Sequence, residues 1–156
     1  TFSSRGLGDV YKRQKLNAKI YVDYAHTPDA LASALISLRN LTKGKIILIF
    51  GCGGSRDKYK RPIMGEIAKK YADIIIITDD NPRNEDPKKI RKDIIKSCLS
   101  FTEIPDREEA IRKAISIAKD GDSILIAGKG HEKFQIIEDK KLPFSDQKIV
   151  KDIIGS

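Results

Sequence analysis

The strongest constraint on the fold is an alternation of short apolar segments with longer amphipathic ones. From Lys19 onward, β-type segments are separated by segments in which apolar residues recur with helical spacing. Residues 45–50 (KIILIF) and 74–78 (IIIIT) are almost continuously apolar, as is typical of strands covered on both faces. Strands that alternate with helices of about 10–14 residues indicate βαβ units and a parallel sheet.

The pattern predicts an α/β domain with a Rossmann-like, mainly parallel sheet of about six strands and helices on both faces. Residues 134–138 offer one antiparallel edge strand after the parallel pattern ends. The other predicted strands are 20–24, 45–50, 74–78, 102–104 and 123–127. The predicted helices are 28–40, 62–71, 87–99, 107–118 and 145–154. Asp106 is predicted to cap the fourth of these helices, with Glu109 three residues further on, as in a capping box.

The first fourteen residues, TFSSRGLGDVYKRQ, lack the periodicity of the rest and offer no core face. We expect residues 1–14 to be a disordered or artefactual tail, and residues 15–156 to form the domain. We assign no function to the tail.

The composition suits one globular domain, with 40% hydrophobic and 33% charged residues in a chain of 156. No apolar run approaches the roughly 20 residues that cross a bilayer, so we expect no membrane partner and a cytoplasmic location. Cys52 and Cys98 stand apart without metal-ligand spacing, which favours reduced thiols over a disulfide or a metal site.

The net charge of +8 leaves two classes of partner open. A nucleic-acid-associated α/β domain is basic in this way, but the lysines are scattered and no aromatic residues interleave with them. A solvated lysine-rich surface is therefore favoured over a nucleic-acid site. An anionic small-molecule ligand is also compatible with the charge.

Unusual polar residues follow the predicted strands, at the edge where open α/β sheets bind ligands. Any one such loop would be weak support for a site, but several together favour one over ordinary turns. The loops are DYAHTPD (23–29), GCGGSRDKYKRP (51–62), DDNPR (79–83), IPDR (104–107) and GKGHE (128–132).

Several side chains in these loops suit a ligand that carries both charges. Arg56 and Arg83 present planar forks for a carboxylate or phosphate, and Asn81 both donates and accepts hydrogen bonds. Asp79 and Asp80 are candidates to orient Arg83 or to cap the turn.

The loop at Gly128 is expected to leave backbone N–H groups free, with Glu132 available for an ammonium group. Asp23 is a candidate for ribose hydroxyls, and His26 for a phosphate or a nucleotide ring. A surface charge, an Asn-Pro turn and loop-ordering hydrogen bonds remain the structural alternatives. The residues alone indicate an amino-acid or nucleotide site, with no catalytic group identified.

Taken in order, the motifs resemble the C-terminal domain of the Mur ligases, most closely the MurE type. The resemblance covers residues from about 15 to 156 and rests on ordered motifs quoted from this chain: YVDYAHTPDAL, GCGG-x-RDKxKRPxMGxIA, TDDNPR, AGKGHE and PFSD.

The resemblance implies one domain of an ATP- and magnesium-dependent ligase that adds meso-diaminopimelate to UDP-MurNAc-L-Ala-D-Glu during peptidoglycan synthesis. The DNPR sequence marks diaminopimelate-adding members, since Arg83 pairs with the second carboxylate that lysine lacks. It also implies that Asp23 and His26 meet the nucleotide. The diaminopimelate ligands implied are Arg56, Asn81, Arg83, Gly128 and Glu132.

Two features depart from the family pattern. Ser55 stands where an aspartate is common, which bears on how Arg56 is oriented. No Walker A motif (GxxxxGK[ST]) is present, so we expect a fragment that is inactive without the N-terminal and central domains of the ligase. The alternative is a free-standing amino-acid or nucleotide binding module without catalysis.

Overall fold

A computed structural model describes residues 2–3, 7–13 and 17–155. These residues form a seven-stranded sheet in the order β1-β2-β3-β7-β4-β5-β6, and a separate two-stranded hairpin, β8-β9. The strands are β1 (Phe2–Ser3), β2 (Asp9–Lys12), β3 (Lys19–Asp23), β4 (Ile46–Phe50), β5 (Ile74–Ile77), β6 (Thr102–Glu103), β7 (Ser123–Ala127), β8 (Phe134–Ile137) and β9 (Lys140–Pro143). The helices are α1 (Pro28–Leu41), α2 (Lys60–Tyr71), α3 (Pro87–Ile95), α4 (Arg107–Ile117) and α5 (Asp146–Ile154).

The predicted mainly parallel α/β fold is confirmed. Strands β3, β7, β4, β5 and β6 pair in parallel, so their carboxyl ends meet at one edge. Side chains of β4 alternate between two cores, with Ile46, Leu48 and Phe50 on one face and Ile47 and Ile49 on the other. Helices α1, α2 and α3 cover the first face, and α4 and α5 cover the second.

The antiparallel part of the sheet comes from a different segment than predicted. Strand β2 pairs antiparallel with β3, and β1 pairs antiparallel with β2. The predicted edge strand at 134–138 instead pairs with β9 in the hairpin, outside the sheet. Its burial pattern is exposed at both ends, so it lacks the apolar face that would fix it against the core.

The expectation that the first fourteen residues carry no core face is wrong for residues 7–13. Leu7, Val10 and Tyr11 are buried, with Val10 and Tyr11 packing in the two opposite cores. Because Val10 and Tyr11 are adjacent and face opposite cores, this short strand has no apolar–polar alternation that would mark it in the sequence. Residues 1, 4–6 and 14 lie outside the described residues, and the domain boundary at 15 stays a prediction.

Local capping explains where several helices begin. The Asp106 side chain accepts hydrogen bonds from the backbone N–H groups of Glu108 and Glu109, as predicted for the start of α4. Ser145 caps α5 in the same way through Lys148. Within the described part of the chain, every helix is too short or too polar to cross a membrane.

Candidate functional site

A cleft of about 530 Å³ opens at the carboxyl edge of the parallel strands. It lies where the loops after β3, β4, β5 and β7 converge, as the strand topology requires. The residues that line the cleft are Tyr24, His26, Thr27, Pro28, Gly53, Arg56, Asp57, Tyr59, Lys60, Ile63, Asp80, Asn81, Arg83, Gly128 and Glu132.

The cleft brings together all five residues predicted to hold diaminopimelate. Arg56, Asn81, Arg83, Gly128 and Glu132 line it, although they come from three separate loops. Their common position supports one ligand site, while their individual roles stay predictions.

The two predicted nucleotide contacts occupy different places. His26 lines the cleft, and its Nδ1 lies 2.9 Å from the Tyr24 carbonyl oxygen. Because a carbonyl only accepts, Nδ1 donates in this contact, and Nε2 remains for another partner. Asp23 does not line the cleft, since its Oδ2 accepts from the Ala25 N–H at 2.9 Å and closes the local turn.

The glycine-rich loop after β4 lies directly against the loop after β5. A Cβ at Gly54 would stand 1.9 Å from the Pro82 carbonyl oxygen, so only glycine allows this approach. Gly54 N–H donates to the Asn81 carbonyl at 2.8 Å, and Ser55 N–H donates to Glu85 Oε1 at 3.1 Å. These two N–H groups are already bonded within the protein and are not available to a phosphate.

The buried side chain of Arg61 connects the two loops. Its side chain is fully buried, and it donates to Glu85 Oε2 at 2.7 Å and to Asp93 Oδ2 at 3.1 Å. It also donates to the Gly53 carbonyl at 3.1 Å. The hydrogen bonds from Arg61 lower the pKa of Glu85 from 4.5 to about 2. The buried cation thus ties α2 to both loops and to α3.

The departure at Ser55 is accommodated by the backbone. Ser55 has a φ of 55°, a left-handed conformation uncommon for serine, and its N–H is fixed by Glu85. The following residue, Arg56, is exposed and makes no hydrogen bond or ion pair to any described residue. Arg56 is therefore presented at the cleft with its guanidinium available.

Arg83 also adopts a left-handed conformation, with a φ of 54°. Its backbone is bonded to hairpin β8-β9, since Arg83 N–H donates to the Ile136 carbonyl at 2.9 Å and its own carbonyl accepts from Glu138 N–H. Strain of this kind persists where surrounding structure enforces it, commonly at ligand sites. The hairpin therefore holds Arg83 in the cleft.

The guanidinium of Arg83 is only partly used by the protein. Its Nη1 donates to the Gly54 carbonyl at 3.1 Å and to the Asn81 carbonyl at 3.4 Å. Among the described residues, Nε and Nη2 have no partner, which leaves one edge of the fork for a carboxylate. The prediction that Asp79 and Asp80 orient Arg83 is wrong, because backbone carbonyls do so.

The acids of the DDNPR loop have other partners. Asp79 pairs with Arg91, at 2.5 Å between Oδ1 and Nη1, and its carbonyl accepts from Arg107. Asp80 lines the cleft, and its Oδ1 is 3.0 Å from the Lys129 Nζ. That contact lacks hydrogen-bond alignment, and among the described residues Oδ1 accepts no hydrogen bond.

Lys129 is the site residue that sequence reasoning missed most clearly. Its side chain is fully buried, and Nζ donates to Asn81 Oδ1 at 2.7 Å and to the Phe134 carbonyl at 3.0 Å. Glu132 Oε1 lies 3.6 Å from the same ammonium. A lysine between two glycines gives no periodic signal of burial; only its sequence proximity to Glu132 hinted at an ion pair.

The backbone around Gly128 also differs from expectation. Gly128 N–H donates to the Asp23 carbonyl at 3.1 Å, so the prediction of a free N–H there is wrong. Its φ of 117° requires glycine, and a Cβ would lie 3.0 Å from Asp80 Oδ2. Gly128 therefore contributes space and chain direction to the cleft.

Metal binding has no obvious framework in the described part of the chain. There, no group of three or more histidine, cysteine, aspartate or glutamate side chains is arranged to hold a metal ion. Both thiols are buried, and burial raises the pKa of Cys52 to about 12. The chemistry of the cleft is thus the binding of charged groups.

Comparison with known proteins gives the same family as the motifs. The family model described as "Mur ligase, glutamate ligase domain" matches residues 10–130. The UDP-N-acetylmuramoyl-L-alanyl-D-glutamate–2,6-diaminopimelate ligase of Rhizobium meliloti (strain 1021) is 54% identical over 141 residues, covering 90% of this chain and 29% of the relative. The ligase of the same name from Rickettsia rickettsii is 58% identical over 142 residues, covering 88% of this chain and 30% of the relative.

Solved structures agree with these relatives. A structure of a UDP-N-acetylmuramoyl-L-alanyl-D-glutamate–2,6-diaminopimelate ligase superposes with a TM-score of 0.90 at 38% identity, covering 99% of this chain and 32% of that one. The chain therefore spans about 30% of the length of the relatives it matches. The resemblance drawn from the motifs is confirmed, and the chain belongs to the Mur ligase family, as a glutamate ligase domain.

Proposed function

We propose that this chain is the amino-acid-binding C-terminal domain of a ligase that adds meso-diaminopimelate to UDP-MurNAc-L-Ala-D-Glu. The observation that carries the proposal is the charge arrangement of the cleft. The partly used guanidinium of Arg83 lines the same cleft as two carboxylates, Asp80 and Glu132. An amino-acid head, with one carboxylate and one ammonium, is the ligand that this arrangement complements.

Arg83 supplies the basis for selecting diaminopimelate over lysine. The far end of diaminopimelate carries a carboxylate that lysine lacks, and Arg83 has N–H donors left for it. With lysine in the cleft, those donors would lose their partner, at a cost that favours the fully paired ligand. The high identity to two diaminopimelate ligases supports the same assignment.

We assign to Asn81 a hydrogen bond from its uncharged amide group to the ligand. Its Oδ1 accepts from Lys129 Nζ at 2.7 Å and from Ile136 N–H at 2.9 Å. Because both partners are donors, the Asn81 oxygen faces them and the NH₂ group faces away. The NH₂ group makes no hydrogen bond to a described residue. That group is a free donor for a ligand carboxylate.

The requirement for ATP and magnesium is assigned to the full-length ligase. Among the described residues, the N–H groups of Gly54 and Ser55 are bonded internally, and no group of three or more histidine, cysteine, aspartate or glutamate side chains is arranged to hold Mg²⁺. His26 and Asp23 stay predictions for the nucleotide contact. We place the UDP-sugar and ATP on the N-terminal and central domains, and the enzyme in the cytoplasm.

Calorimetry with the 156-residue chain tests the proposal. The chain should bind meso-diaminopimelate more tightly than L-lysine, and it should show no measurable ATPase activity. Equal affinity for the two ligands, or tighter binding of lysine, would exclude the assignment.

A further inference from the structure

The buried ammonium of Lys129 lies where the DNPR loop, the GKGHE loop and the hairpin meet. It is within 3.0 Å of Asp80 and 3.6 Å of Glu132, the two carboxylates assigned to the ligand ammonium. It also bonds to Asn81 and to the Phe134 carbonyl. A fully buried lysine is costly unless paired, so its position indicates a defined role.

We infer that Lys129 is a specificity-positioning residue, which cancels one of the two negative charges that line the cleft and fixes the Asn81 amide as a donor. This inference rests on the proposed function. It goes beyond that function because Lys129 is fully buried and does not line the cleft.

The charge count explains the expected effect on selectivity. Asp80 and Glu132 carry two negative charges, and Lys129 reduces their sum to one, which matches one ligand ammonium. Arg83 then requires a ligand carboxylate to complete the pairing. Without Lys129 the cleft would carry an excess negative charge, which favours the singly cationic end of lysine over the neutral, zwitterionic end of diaminopimelate.

A second consequence concerns hydrogen bonding. Lys129 Nζ and Ile136 N–H both donate to Asn81 Oδ1, which turns the Asn81 NH₂ group toward other partners. Loss of the ammonium leaves a single donor to hold that orientation. Binding of diaminopimelate should therefore weaken, while lysine, which has no far carboxylate to engage, should be less affected.

The substitution Lys129→Met tests the inference, since it keeps the volume of the side chain and removes its charge. At an effective dielectric constant of about 20, removal of a unit charge beside the two carboxylates should change the relative affinity for the two ligands by about tenfold or more, even with some screening. Calorimetry should show the ratio of lysine to diaminopimelate affinity rising about tenfold or more. Lys113→Met, on the exposed face of α4, is the matched control and should leave the ratio unchanged.

Thermal unfolding of Lys129→Met and Lys113→Met shows whether either substitution destabilises the fold, so that an effect on stability is told apart from an effect on ligand selectivity. A purely structural lysine would lower affinity for the two ligands by the same factor, leaving their ratio as in the unsubstituted chain. That result, in a chain that itself prefers diaminopimelate, would overturn this inference and leave the proposed function intact. Absence of any preference in the unsubstituted chain would overturn the proposed function and this inference with it.

Lys129→Ala provides a second test through chemical rescue. The oxygen atoms of Asn81, Phe134, Asp80 and Glu132 would then surround a space that a small alkylammonium ion fits. Added ethylammonium should restore the preference for diaminopimelate, whereas tetramethylammonium at equal ionic strength, which has no N–H donor, should not. Equal effects of the two salts would contradict the inference.

Discussion

Arg107 and Asp146 form an ion pair from which solvent is fully excluded. Arg107 Nε donates to Asp146 Oδ1 and Nη2 donates to Oδ2, each at 2.8 Å. The same guanidinium also donates to the carbonyls of Asp79 and Ala127, just after β5 and at the end of β7. A single buried cation therefore joins two strand ends to the start of α5.

Removing one partner of this pair should strongly destabilise the domain. Asp146→Ala leaves the Arg107 charge buried and unpaired, and we expect a loss of about 3–5 kcal/mol in the free energy of unfolding, measured by denaturant titration. The matched control is Glu108→Ala, which breaks the exposed pair with Arg112 and should cost under about 1 kcal/mol. Similar losses in the two variants would contradict this account of the buried pair.

Arg83→Ala should remove most of the preference for meso-diaminopimelate over lysine. The far carboxylate loses its partner in a desolvated site, a change of about 2–5 kcal/mol in the difference between the two binding free energies. Calorimetry with both ligands measures it. Arg83→Gly, which relieves the left-handed backbone at this position, should lose the preference equally. Retained preference in either variant would show that another group holds the carboxylate.

Stability should fall in acid through Glu85. Its pKa is lowered from 4.5 to about 2 by hydrogen bonds from Arg61, so its contribution is complete above about pH 4.5 and is lost as pH falls toward 2. With allowance for screening by solvent, we expect Glu85 to contribute about 1–2 kcal/mol to the free energy of unfolding. In Glu85→Gln, unfolding followed between pH 5 and 2 should show a shallower loss of stability. Glu66→Gln, at an exposed position on α2, should retain the steeper dependence of the unsubstituted chain.

The two thiols should be unreactive in the folded protein. Burial raises the pKa of Cys52 to about 12, and it also raises the pKa of Cys98, so little thiolate forms at neutral pH. A colorimetric thiol reagent at pH 8 should label both cysteines only as fast as the chain opens, and at once in denaturant. Fast labelling of Cys52 without denaturant would show that the loop after β4 opens on its own.

The sequence predicted the parallel core because each central strand carries its own signal. Residues 123–127 were placed at the bounds that the structure has, and the Asp106 cap was predicted from its spacing to α4. The cleft residues from Arg56 to Glu132 could be found because polar residues after buried strands stand out against their neighbours.

Other features depend on contacts that no local pattern encodes. In the sequence, Arg61 is one of several cations in a basic segment. Its ion pairs with Glu85 and Asp93 form only when the fold brings these residues together. Lys129 was missed for the same reason. Residues 134–137 do form a strand, but its partner is the adjacent segment β9 and not the edge of the sheet.

Hairpin β8-β9 forms hydrogen bonds to Arg83 through main-chain groups alone, and β9 is exposed along its whole length. The surface of the hairpin is thus free to vary in sequence without altering a single side chain of the cleft. A change in its length or pairing register would nevertheless move the guanidinium. Two homologues with identical cleft residues would then differ in ligand choice, and the cause would lie in a solvent-facing hairpin that does not line the cleft.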